Sequence, residues 1–252
     1  MLFLVGLGLS EKDITAGAID VCRNCELYID TFTSAVGEST KDYITSATGK
    51  RITELSREDM EDSAAELVSM ASVKDIAILV GGDPLIATTH KILYIEAKKH
   101  NVKTVAVHAN SIMTTAIGES GLDFYRFGST CTIPRWSEHY SPVSFYEKIA
   151  TNLNNGEHTM LLLDYDSKSK STISIREAVS IIEKSEAHYK KGVINPATRI
   201  IILHNMLQDD AKVVLTSIKE AESLDYGGVN VIIIPAELKD IEKEALSARA
   251  TE

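Results

Sequence analysis

Several stretches of this chain run four or five residues without a polar break. They include Ile76-Ala77-Ile78-Leu79-Val80, Ile200-Ile201-Ile202-Leu203 and Val231-Ile232-Ile233-Ile234. A strand with one wet face alternates apolar and polar residues, whereas an unbroken run marks a strand covered on both faces. This reading places strands at residues 2–7, 27–29, 76–80, 102–107, 130–133, 159–163, 199–203 and 229–234. Helical periodicity fills the gaps at 14–24, 89–100, 144–154, 174–188, 210–223 and 237–248. A further helix opens at Ser56, with Asp59 completing a capping box. Along it Met60, Ala64, Leu67, Val68 and Ala71 fall on one face. Strands alternating with helices predict an α/β fold built on parallel or mixed sheet.

The 252 residues suit one large domain or two smaller ones. A boundary is expected near 110–115, which gives domains 1–112 and 113–252. The net charge of −10 argues against nucleic acid, because neutralising phosphates takes clustered Lys and Arg. No apolar run approaches the ~20 residues of a membrane span. The chain opens directly on a strand with no basic stretch before it, so no signal peptide is expected. Three cysteines, Cys22, Cys25 and Cys131, fit a reducing compartment, and the expected location is the cytosol.

Two glycine turns follow predicted strands. One is Gly6-Leu7-Gly8-Leu9; the other is Gly81-Gly82-Asp83-Pro84 and continues into Leu85-Ile86-Ala87-Thr88-Thr89-His90. In open α/β sheets, ligands bind beyond the carboxyl ends of the strands. Glycine admits close approach there, having no Cβ. Asp83 adds an acceptor-only carboxylate. A plain β-turn also explains Gly-Gly-Asp-Pro. The first turn is incomplete as a dinucleotide fingerprint, since Glu11 stands where the third glycine belongs. No P-loop, Gly-x-Ser-x-Gly elbow or His-Glu-x-x-His occurs. Cys22-x-x-Cys25 has no second pair, so it reads as two buried thiols on a helix, and no metal is expected. The seven histidines, His139 among them, show no ligand spacing.

Other segments carry a resemblance. Residues 1–9 with Lys12-Asp13-Ile14-Thr15 resemble the opening of the diphthine synthases, a branch of the tetrapyrrole-methylase superfamily. So do residues 82–90, His108-Ala109-Asn110-Ser111-Ile112, Gly121-Leu122-x-x-Tyr125-x-Phe127-Gly128 and His158-Thr159-Met160-Leu161-Leu162-Leu163-Asp164. The resemblance runs in one register to about residue 165 and weakens beyond it. It implies two α/β domains of tetrapyrrole-methylase type, a homodimer, and S-adenosylmethionine in the cleft between the domains. It further implies repeated methylation of the modified histidine of translation elongation factor two. The implied cofactor contacts are Leu9, Asp83, Ile86, Ser111, Ile112 and Leu163. Met206 and Asn230 take two more such places, where the chain departs from the family pattern. The family's Ala-Arg-x-Gly is here His204-Asn205-Met206-Leu207, and Asn230 stands where a His is usual.

Methyl transfer from a sulfonium is an in-line displacement, which needs an aligned nucleophile at about 3–3.5 Å. A base would help the substrate amine lose its proton. Asp164, Asp166 and His108 are the candidates, and spacing selects none. For a folded protein acceptor, residues 110–115 and 135–141 are expected as exposed loops, with Arg135-Trp136 as an anchor. Trp136 as a packed aromatic is the plainer reading. A nucleotide-sugar or dinucleotide enzyme, another methyltransferase of this type acting on a small molecule, and a non-enzymatic adaptor are the alternatives.

Overall fold

The computed structural model describes residues 1–33, 35–61, 63–137, 140, 142–167 and 169–251. The chain divides into two compact units, Met1–Met113 with Tyr165–Lys170, and Thr114–Asp164 with Ser171–Glu252.

The first unit has five strands: β1 Leu2–Gly6, β2 Glu26–Asp30, β3 Ile52–Leu55, β4 Ile76–Val80 and β5 Thr104–Val107. Its helices are α1 Ala16–Asn24, α2 Glu38–Thr48, α3 Arg57–Glu61, α4 Ala64–Val73 and α5 Lys91–Lys99. The sheet order is β3-β2-β4-β1-β5 and every pair is parallel. Successive side chains point to opposite faces of a strand. Thus Leu2, Leu4, Ile76, Ile78 and Val80 pack with Met60, Leu67 and Leu93 on one face. Val5, Ala77 and Leu79 pack with Ala18, Cys22 and Ile44 on the other. The unbroken run at 76–80 is buried throughout because both faces are covered by helices.

In the second unit the chain runs through α6 Ile112–Ser120, β6 Cys131–Ile133, α7 Ser144–Asn154 and β7 Thr159–Leu163. The short strands β8 Tyr165–Asp166 and β9 Ser171–Thr172 precede α8 Ile175–Tyr189. Then come β10 Arg199–His204, β11 Lys212–Ser217, α9 Ile218–Ala221, β12 Asn230–Ile234 and α10 Asp240–Arg249. The five-stranded sheet is ordered β11-β10-β12-β7-β6, and only β6–β7 is parallel.

One expectation fails outright. Residues 210–223 do not form a helix: 212–217 are edge strand β11, paired antiparallel with β10, and only 218–221 are helical. Val213-Val214-Leu215-Thr216 is largely β-branched and takes the open edge of β10. Ser217 and Glu220 then start α9 with a reciprocal capping box. The helix opened by Ser56 is in fact two, α3 and α4, although the Ser56–Asp59 capping contacts form as read. Strands β3, β8 and β9 and helices α2 and α6 add to the elements expected from sequence.

Candidate active site

β1 and β4 are adjacent, yet their exits diverge. The chain leaves β1 for α1 on one face and β4 for α5 on the other. Such a switch point leaves a crevice at the carboxyl ends of the strands. Both glycine turns lie there, held together by two hydrogen bonds. Gly8 N–H donates to the Gly82 carbonyl at 3.3 Å, and Gly82 N–H to the Gly8 carbonyl at 2.8 Å. Both residues take left-handed backbone, with φ of +70° and +74°. A Cβ on Gly6 would stand 2.7 Å from the Gly82 carbonyl oxygen; one on Gly8 would stand 2.3 Å from Asp13 Oδ2. These positions need glycine because backbone and carboxylate fill the space.

Asp13 ties the first turn down. Its Oδ2 accepts from Leu9 N–H at 3.1 Å, and its Oδ1 accepts from the Asn110 amide. Asp83 ties the second. It is 5% exposed; Oδ1 accepts from Leu85 N–H at 2.9 Å and Oδ2 from Ala109 N–H at 3.3 Å. His108 Nδ1 lies 2.7 Å from the same Oδ2. A carboxylate has about four lone-pair sites, so one direction remains for a further donor or cation. Ile86 is 46% exposed, on the turn that Asp83 shapes. Ser111 is buried, and its Oγ accepts from Met113 N–H at 3.2 Å in the first turn of α6. The segment expected as an exposed loop at 110–115 therefore enters a helix at Ile112.

Beneath this end, Asp30 and His90 are both fully buried, with Nε2 3.1 Å from Oδ2. Burial alone would raise the Asp30 carboxyl, but His90 and the Thr33 side chain and N–H hold it below the usual range. Thr89 does not cap α5, whose first-turn flank is His90; Thr88 Oγ1 instead bonds the Pro84 carbonyl at 2.8 Å. Cys22 and Cys25 are buried free thiols, and burial pushes Cys22 up to about 12, far from a reactive thiolate.

In the second unit, strand register puts Leu163 and Asn230 at one end of the sheet, beside His204. Leu163 is buried in the apolar core of that unit. The Asn230 side chain is 3% exposed and committed within the protein. Its Oδ1 lies 2.9 Å from His204 Nδ1, and its amide nitrogen donates to the Tyr226 and Gly227 carbonyls at 3.3 Å. The His204 ring stacks on Tyr226, and its Nε2 lies 3.3 Å from Asp210. Asn205, Asp210 and Val229 complete the brace: Asn205 donates to Asp210 and accepts from Val229 N–H. Met206 is buried between Asn205 and Leu207, which both have positive φ. Trp136 packs against the core, its indole N–H donating to the Pro142 carbonyl at 3.3 Å, so it is the packed aromatic. Of the expected loop 135–141, residues 138, 139 and 141, His139 among them, lie outside the described residues.

Sequence reasoning passed over Asp13, Asn110, Asp210 and Tyr226. Asp13 and Asn110 stood inside segments that carry the resemblance, but their pairing spans 97 positions and leaves no local signal.

Tetrapyrrole (corrin/porphyrin) methylases match this chain over residues 1–222. The chain belongs to this family. Within it, a diphthine synthase of Methanocaldococcus jannaschii is 36% identical, covering 98% of this chain and 97% of that one. The diphthine methyl ester synthase of Bos taurus is 30% identical, covering 98% and 94%. A crystal structure of a diphthine synthase superposes with a TM-score of 0.86 at 28% identity, covering 99% and 96%. The chain is thus a member of the diphthine synthase branch of the methylases, with the α/β fold of that family.

Proposed function

We propose that this methylase transfers methyl groups repeatedly from S-adenosylmethionine to the modified histidine of translation elongation factor two, a step of diphthamide biosynthesis. The observation that carries the reading is the pair of glycine turns at the β1/β4 switch point, the second of them carrying the buried Asp83, in a chain related to diphthine synthases over nearly its whole length. The fit is chemical. S-adenosylmethionine supplies an electrophilic methyl group on a cationic sulfonium, together with a charged amino-acid tail. A buried carboxylate with one lone-pair direction left suits such a cation, and backbone without Cβ atoms suits a bulky ligand lying close. Leu9, Asp83, Ile86, Ser111 and Ile112 are the proposed contacts of the first unit. The assignment of Leu163, Met206 and Asn230 rests on the resemblance alone. Homodimer formation and a cytosolic location are parts of the same proposal.

The protein's share of the chemistry is to hold the acceptor amine in line with the methyl carbon at about 3–3.5 Å and to exclude water. Calorimetry with S-adenosylhomocysteine, beside NAD, tests the cofactor: micromolar binding of the first and none of the second is expected. A labelled-methyl assay tests the acceptor. Label is expected on elongation factor two carrying the aminocarboxypropyl-histidine precursor, and not on the unmodified factor, tRNA or uroporphyrinogen. Label on the porphyrinogen would move the protein to a small-molecule branch of the family.

A further inference from the structure

His108 sits at the end of β5 with its side chain 66% exposed, whereas its partner Asp83 is buried. Only one ring nitrogen is engaged. Nδ1 lies 2.7 Å from Asp83 Oδ2, and among the described residues Nε2 meets no partner. Asp83 is itself fixed by Leu85 N–H and Ala109 N–H, so it cannot swing away from the ring. An ionised carboxylate only accepts, so neutral His108 carries its proton on Nδ1. Nε2 then presents a lone pair to solvent at the switch point. A carboxylate that orients an imidazole, whose far nitrogen faces outward, is the arrangement of a general base.

We propose that His108 is the general base of the methyl transfer and Asp83 its positioning residue. The inference rests on the functional reading above. The acceptor is an amine that is a charged ammonium near neutral pH, and without a lone pair it cannot attack. His108 Nε2 takes one proton from the ammonium. The amine's lone pair then forms the N–C bond while the S–C bond of the sulfonium breaks, its electron pair leaving on sulfur. The new secondary ammonium loses its proton in the same way before the next transfer, and so does the tertiary one. His108 returns each proton to water through its exposed edge. The charged group that the structure sets against the ring is Asp83, from the turn after β4.

The decisive variant is His108→Gln. The side chain is largely exposed, so the melting curve should not move. Binding of S-adenosylhomocysteine by calorimetry should stay within threefold of wild type. Transfer to the precursor-bearing elongation factor should fall by about 10²–10³-fold, the range for one general base. The acid limb of the pH–rate profile should vanish with it, and added imidazole should partly restore the rate of His108→Ala. A readout independent of turnover is the ring ¹⁵N spectrum of the wild-type protein, in which neutral His108 should be the Nδ1–H tautomer. An Nε2–H tautomer would overturn the proposal, and so would a His108→Gln enzyme with wild-type rate and pH profile. If the wild-type protein transfers no methyl to any amine acceptor, the functional reading falls and this inference with it. If the wild type transfers normally and His108→Gln is unaltered, the base alone is wrong.

Discussion

The two units solve the same problem in opposite ways. Each must satisfy polar groups at the ends of buried strands. In the first unit, all-parallel strands deliver their carboxyl ends to one edge, and the turns there are held by backbone pairs, Asp13 and Asp83. Directions remain open: one on Asp83 and the outer nitrogen of His108. In the second unit, strands of mixed direction place polar residues against one another, and the side chains at one sheet end are spent on each other. Asn230 uses its amide oxygen and nitrogen within the protein. Glu242 goes further. It is buried and accepts from Arg126, His158, Lys239 N–H and Asp123 N–H. Ala236 N–H donates to His158 Nδ1 at 3.0 Å, so the ring proton sits on Nε2 and points at Glu242. Burial then holds His158 below its usual value, and the ring is neutral. The lesson is that a residue to which a resemblance assigns a cofactor contact need not have a side chain to spare.

The largest effect should come from cutting the knot in the second unit. Glu242→Ala leaves Arg126 and His158 facing a buried void, and losing one partner of a buried pair costs about 3–5 kcal/mol. The melting temperature should fall by about 10 °C, with amide exchange rising first in α10 and the 123–126 turn. A drop of a degree or two would mean that packing, not the knot, braces this unit. The pH dependence follows with its sign. Burial alone would raise the Glu242 carboxyl, but its donors hold it down to about 2. A depressed acid stabilises the fold fully above its unfolded value near 4.5 and loses that contribution as pH falls through about 2. Acid unfolding followed by circular dichroism should show this slope, and Glu242→Gln should flatten it.

Next comes the first unit's glycine turn. Gly8→Ala puts a Cβ into left-handed backbone and onto Asp13, costing about 1–3 kcal/mol for the backbone alone. S-adenosylhomocysteine binding should be lost on calorimetry while the second unit keeps its exchange protection. Retained micromolar binding would show that the turn is not part of the ligand site. Asp83→Asn should act more gently. It keeps the shape but removes the charge, and a charge-assisted contact is worth about 1.5–3 kcal/mol, or roughly 10–150-fold in affinity. If neither the affinity nor the melting curve changes, the Asp83 charge takes no part in holding the cofactor. Smallest for the ligand should be Asn230→Ala. It orphans His204 and two carbonyls and so lowers stability by about 1–3 kcal/mol. Affinity for S-adenosylhomocysteine should nevertheless change less than threefold. A larger loss of affinity would break the contrast between the units.

The fold class could be read from the chain because local period and burial agree. Runs such as 76–80 and 159–163 are strands with the same limits in the structure, since a strand covered on both faces needs no polar residue to mark its register. Helix α7 likewise matches residue for residue, its apolar positions lying along one buried face. The misread 210–223 shows the limit. Val213, Val214, Ile218 and Ala221 satisfy a helical stripe as well as a strand, and only the free edge of β10 decides between them.

The glycine turns and their order along the chain were determined by sequence alone, because glycine and aspartate at strand exits carry their own local geometry. What those turns meet was decided by tertiary structure. Asp83 reaches His108 across 25 positions, His204 reaches Asn230 across 26, and Asn110 reaches Asp13 across 97. The grouping of 165–170 with the first unit is of the same kind. Each such contact exists because strand order brings chain ends together. Strand order follows from which faces can be buried jointly, a property of the assembled sheet that no single segment contains.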